Sequence, residues 1–143
     1  DKPPPPAFAF GHGLTFAEFN FTSATQVPCA STSGAVACVK VTVANTNGVC
    51  ARAVPQLYAA FPPVAKHPAP LLKGFVKTQP ICVGHSTSVM FSLTTRDLSY
   101  YDSGAWVAAT SVTAHIAASS ADVRLSLPLT ISRESVAPTA VVA

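Results

Sequence analysis

Charge is what this chain has least of. Lys, Arg, Asp and Glu together make up 10% of its 143 residues, against roughly 25% in an average soluble domain. The nine Lys and Arg residues are scattered, so a net charge of +3 builds no basic stripe. Nor do aromatic and basic residues interleave, which argues against nucleic acid as a partner. Long apolar runs are missing as well. Hydrophobic residues reach 49% and mean hydropathy is +0.38, yet Ser, Thr, Pro or Gly interrupts every stretch. None approaches the ~18 residues of a membrane-spanning helix, so membrane insertion is not expected. With so little charge, Ser and Thr must keep the surface wet, with or without glycans, or the surface is buried in an assembly.

Metal-ligand spacing is also absent. Cys29, Cys38, Cys50 and Cys82 contain no CxxC pair, and His12, His67, His85 and His115 are dispersed. Zinc sites favour paired ligands a few residues apart, so no metal or cofactor is expected. The even cysteine count reads instead as two disulfides made in an oxidising compartment. Asn20-Phe21-Thr22 is an N-glycosylation sequon, in keeping with a secreted, extracellular protein. The chain opens at Asp1 with no charged-then-apolar leader, as a mature chain or a fragment would.

No capped run of helical period exists. "DKPPPPAFAF" places a proline-rich arm at residues 1–10, extended because proline locks φ and lacks a donor. Residues 11–131 form the domain, and 132–143 a C-terminal tail. "FAEFNF" opens a first strand. "VACVKVTVAN" sets Val39, Val41 and Val43 on one face and Cys38, Lys40 and Thr42 on the other, the alternation of a half-buried strand. "NTNG", residues 45–48, reads as a turn. "VPQLYAAF", "LLKGFVK", "TSVMFSL", "WVAATSVTAHIA" and "DVRLSLPLTI" continue as strands separated by Gly, Pro, Ser or Asp. About seven short strands describe an all-β antiparallel sandwich with extended N- and C-terminal arms.

Strand order constrains the cysteines. In an up-and-down path, Cys29 and Cys38 flank the first turn, while Cys50 and Cys82 sit at the opposite end. Cross-pairing would span a strand of roughly 30 Å, but disulfide Cα atoms lie no more than ~7 Å apart. The expected pairs are Cys29–Cys38 and Cys50–Cys82.

"RDLSYYDSGAW", residues 96–106, gathers aromatic and charged groups where the chain crosses between sheets. It reads as a structural corner: Tyr100 or Tyr101 pins it, Asp97 and Asp102 serve the turns, and Trp106 plugs the core. The alternative is a sugar-stacking platform of exposed rings, with Tyr58 as a further member.

That segment resembles the "RDLSYWD…W" signature of the fibronectin type III-like domain that ends family 3 glycoside hydrolases, the β-glucosidases and β-xylosidases. "FAFGHGLTFAEF" is similar to the family's "FPFGYGLSYTTF", with Phe10, Gly11, Gly13, Leu14 and Phe19 in place. "VTVANTNGVCARAVPQLY", "LLKGFVK" and "SSADVRL" resemble further segments in the same order, covering about residues 8–131. The resemblance implies the fold and ancestry. It does not imply hydrolysis, because the family's nucleophilic Asp and acid/base Glu lie in two larger domains upstream of this module. Ala117 stands where the family often has Gly, and the four cysteines lie outside its pattern.

Six carboxylates remain to catalyse anything: Asp1, Glu18, Asp97, Asp102, Asp122 and Glu134. A glycosidase needs two across a sugar cleft, about 5–10 Å apart, and none of these is placed for that. The chain is therefore read as a non-catalytic extracellular module, glycosylated and self-associating into an oligomer or filament through its arms, with glycans or polysaccharide as further partners. The alternatives are an accessory domain of a family 3 glycoside hydrolase, apart from its catalytic domains, and a carbohydrate-binding module.

Overall fold

Alternation sets the centre of the molecule. The computed structural model describes residues 17–131. In it β2 (Ala37–Gly48) turns Val39, Val41 and Val43 wholly inward, while Lys40 faces solvent. β1 (Ala17–Val27) pairs along one side of β2 and β5 (Ser86–Leu93) along the other, both antiparallel. A second antiparallel sheet runs in the order β4 (Leu71–Phe75), β3 (Gln56–Ala60), β8 (Val112–Ser119) and β9 (Asp122–Leu129).

The two sheets face each other across one core. Phe21, Val41, Val43 and Phe91 of the first join Leu57, Ala59, Ile116 and Leu129 of the second. Three strands against four make a β-sandwich of the fibronectin type III-like kind. A hairpin of β6 (Ser99–Asp102) and β7 (Ala105–Ala108) stands apart as a third, two-stranded sheet.

Two sequence expectations are corrected. Residues 45–48 are not a turn, because β2 runs on with Asn47 opposite Glu18 and Gly48 opposite Ala17. Asn45 is 1% exposed, and its side chain organises a neighbouring loop instead. Its Nδ2 donates to the carbonyls of Val49 and Ile81, each at 2.8 Å, and its Oδ1 accepts from the Asn47 N–H at 3.1 Å. Residues 106–117 are likewise not one strand. The Ala109 N–H donates to the Leu98 carbonyl at 2.9 Å, and the chain breaks there before re-entering as β8.

Disulfides close both ends. Cys29 is bonded to Cys38 with Cα atoms 5.4 Å apart, and Cys50 to Cys82 with Cα atoms 4.0 Å apart, the two pairs that strand order allows. The second bridge lies between the two carbonyls that Asn45 holds, so disulfide and amide clamp the same loops.

The edge strands β1 and β9 are laced across the open side of the sandwich. Gln26 donates from Nε2 to the Thr130 carbonyl at 2.6 Å and accepts from the Thr130 N–H at 2.8 Å. Arg124 donates to the Phe19 carbonyl at 3.2 Å and lies over the Phe21 ring, 5.7 Å from its centroid. The expected arms, 1–10 and 132–143, with Phe10, Gly11, His12, Gly13, Leu14, Asp1 and Glu134, lie outside the described residues.

Candidate functional site: an outward aromatic hairpin

The corner begins as β5 ends. The Asp97 carboxylate accepts from the Thr94 N–H at 2.9 Å and from the Thr94 hydroxyl at 3.0 Å. Thr94 Oγ1 in turn accepts from the Asp97 N–H at 3.3 Å, so the two residues cap one tight turn reciprocally. Ser99 Oγ donates to the Thr95 carbonyl at 2.6 Å. This places Leu98, 1% exposed, in the core.

Ser103 and Gly104 then make the hairpin turn, both with positive φ, 51° and 86°. That is the geometry two-residue hairpins use because it follows the strand twist. Ser103 Oγ donates to Asp102 Oδ1 at 3.2 Å, so Asp102 receives a hydroxyl rather than a backbone N–H.

The two-residue turn decides which rings face in. It sets Tyr101 opposite Trp106 and Tyr100 opposite Val107. Tyr100 is 7% exposed and meets Phe61 edge-on, with centroids 6.2 Å apart. Phe61 also meets His67 at 5.2 Å and carries Lys73 over its face at 5.6 Å. Tyr101 and Trp106 must then share the other face. They are 60% and 68% exposed and meet edge-to-face, with centroids 5.6 Å apart. Trp106 therefore does not plug the core, contrary to the sequence expectation; Leu98 does. The expected pinning bond is also absent: no hydrogen bond from the Tyr100 hydroxyl to backbone occurs among the described residues.

A three-ring sugar platform is not assembled either. Tyr58 is 3% exposed, and its hydroxyl donates to Gln56 Oε1. Burial holds that phenol above its ordinary value.

The other candidate groups are spread out. His115 Nδ1 lies 2.7 Å from Ser126 Oγ, in mid-strand. Asp122 is paired with Arg124 through contacts of 2.7 and 2.9 Å, and that hydrogen bonding holds its carboxyl below the ordinary range. Glu18 lies exposed on β1. No group of three His, Cys, Asp or Glu residues suited to a metal occurs among the described residues. An open groove of about 750 Å³ near the Cys29–Cys38 bridge is lined by Gln26, Ser31, Thr130 and small apolar residues, with no carboxylate or histidine. Asn20 stands exposed on β1. No described helix is long and apolar enough to cross a membrane.

Comparison with known proteins agrees with this geometry. The pattern of the fibronectin type III-like domain matches residues 53–120. A probable β-glucosidase L of Aspergillus terreus is 37% identical over 88% of this chain and 20% of its own length. A probable β-glucosidase D of Aspergillus niger is 32% identical over 91% of this chain and 20% of its own. Among solved structures, a β-glucosidase from Chaetomella raphigera superposes with a TM-score of 0.75 and 32% identity, over 90% of this chain and 20% of that one. The chain thus spans about a fifth of the length of the relatives it matches. By sequence and by fold, it belongs with the fibronectin type III-like domains of family 3 β-glucosidases.

Proposed function

We propose that the chain is the accessory module of a family 3 β-glucosidase, a non-catalytic, exported buttress for a larger catalytic portion of the same polypeptide. One observation carries this reading: nine-tenths of the chain aligns with one-fifth of each enzyme. The chemistry supports it. Asp97 and Asp122 are engaged in a turn and an ion pair, Asp102 receives a neighbouring hydroxyl, and Glu18 stands on the edge strand β1. None of the four lines the groove near the Cys29–Cys38 bridge, whereas glycoside hydrolysis needs two carboxyls facing one sugar. Tyr101 and Trp106, with Phe75 at 68% exposure, offer apolar surface of the kind that domain contacts cover. Two disulfides support export to an oxidising compartment.

Self-association through the terminal arms is the second reading. The relatives' coverage weighs for the accessory module. Purified 14.7 kDa chain assayed on an aryl β-glucoside tests the non-catalytic part. No turnover is expected. Activity that followed the 14.7 kDa chain through purification would refute it.

A further inference from the structure

Among the described residues, β1 has a strand neighbour on one side only. Unpaired edges invite pairing with a second chain, and proteins ordinarily blunt them with Lys, Pro, bulges or a cover. Arg124 closes one end of this edge at the Phe19 carbonyl, and Gln26 with Thr130 closes the other. Between them, residues 20–25 read Asn-Phe-Thr-Ser-Ala-Thr, with no charge and no proline. The outward sheet face behind them carries one charge, Lys40 opposite Thr25, and is otherwise neutral, with Thr42 and Ser88 joined hydroxyl to hydroxyl at 3.1 Å.

We infer that Asn20 carries an N-linked glycan, and that this glycan guards the open edge of β1 against pairing with another copy. Phe21, 7% exposed, anchors the middle of the sequon in the core. Asn20 and Thr22 on either side of it are both exposed. A bulge sets Thr22 and Ser23 together against Thr42, and Thr22 Oγ1 donates to the Thr42 carbonyl at 3.4 Å. Asn20 itself pairs with Ala44 in the ladder, two residues before that bulge. The Asn20 amide has no hydrogen-bond partner among the described residues. The glycan also supplies the hydration that a surface with 10% charged residues lacks.

The donor is a lipid-diphosphate-linked oligosaccharide. A bond forms from Asn20 Nδ2 to C1 of its first sugar as the C1–O bond to diphosphate breaks. The lipid diphosphate leaves with the electron pair, and the amide proton passes to solvent. The inference rests on the exported location proposed above, so the test supplies export itself.

The full chain is secreted from a eukaryotic host behind a signal peptide, as wild type, N20Q, T22A and T22S. Its mass is read before and after peptide-N-glycosidase, and association by sedimentation velocity across a concentration series. Wild type and T22S are expected to lose the mass of one N-glycan at the Asn20 peptide, and N20Q and T22A none. Glycosylated chain is expected to sediment as a monomer. Peptide-N-glycosidase converts Asn20 to Asp, so stripped wild type is read for mass alone. T22A, which keeps Asn20 and an uncharged edge but takes no glycan, is expected to associate as concentration rises, as N20Q does. Secreted wild type without a glycan would overturn the site. T22A and N20Q chains as monomeric as the glycosylated wild type would overturn the guarding role. A finding that the native protein is not exported would instead count against the location, with the sequon's competence already measured.

Discussion

Replacing Asn45 should show how much of the fold hangs on one buried amide. Asn45→Ala removes two donated bonds and one accepted bond. The penalty is uneven, because Val49 and Asn47 are exposed and water can replace what they lose. The Ile81 carbonyl belongs to a residue 3% exposed, and it keeps only the Ala51 N–H at 3.2 Å. Each of the three lost bonds is worth about 0.5–1.5 kcal/mol net. The sum is about 3 kcal/mol, measured as the difference in urea unfolding free energy from wild type. Asn45→Asp sharpens the test, because its carboxylate would face two carbonyl oxygens that now accept from an amide. The ionised form is disfavoured in the fold, so the folded pKa lies above the unfolded value of about 3.9. The protonated form is the better tolerated one. This variant should therefore lose stability relative to wild type as pH rises through about 4, toward the raised folded value. An Asn45→Ala loss under about 1 kcal/mol, or an Asn45→Asp protein as stable as wild type at pH 7, would refute the clamp.

Other perturbations sort the remaining interactions. In the chain-entropy relation, the Cys50–Cys82 bridge, with a separation of 32, is worth about 3.7 kcal/mol, and Cys29–Cys38, with a separation of 9, about 2.6 kcal/mol. Paired Cys→Ala variants in denaturant titrations should keep that order; a larger loss at Cys29–Cys38 would contradict it. Leu98→Ala should cost about 2–5 kcal/mol as a core truncation, whereas Trp106→Ala should stay within about 1 kcal/mol because the ring is exposed. Equal thermal shifts for the two would place Trp106 in the core after all. Asp122 has a lowered pKa, so its pairing with Arg124 contributes stability above pH 3.8 that is lost as pH falls through the lowered value. Both side chains are more than a third exposed and screened, so the effect is small. Asp122→Asn should flatten the acid limb of the stability curve, and an unchanged limb would argue against the pair.

The sandwich was legible where one pattern dominated. Val39, Val41 and Val43 alternate so cleanly that β2 and its buried face follow directly, and strand order then leaves the cysteines one pairing. Composition misled where a polar residue had a tertiary task. "NTNG" has turn residues, yet Asn45 divides its amide between the nearby Val49 carbonyl and that of Ile81, far along the chain. Trp106 reads as a core residue because aromatics at tight, Asp-rich corners ordinarily turn inward. The signal that corrects it was present, since a Ser103-Gly104 turn forces Trp106 onto the face of Tyr101 and away from Tyr100. Four-residue strands such as β6 and β7 carry too little alternation to stand out, which is why the hairpin reads as a corner running into one long strand from Trp106.

The account stands most directly on the size of the native polypeptide. Antibody raised against this chain should detect, in its source, a polypeptide about five times its length, given the one-fifth coverage of the relatives. Hydrolysis of an aryl β-glucoside should co-purify with that band. A 14.7 kDa band alone, with no glucosidase activity accompanying it, would contradict the accessory-module account and return the chain to the self-assembling reading.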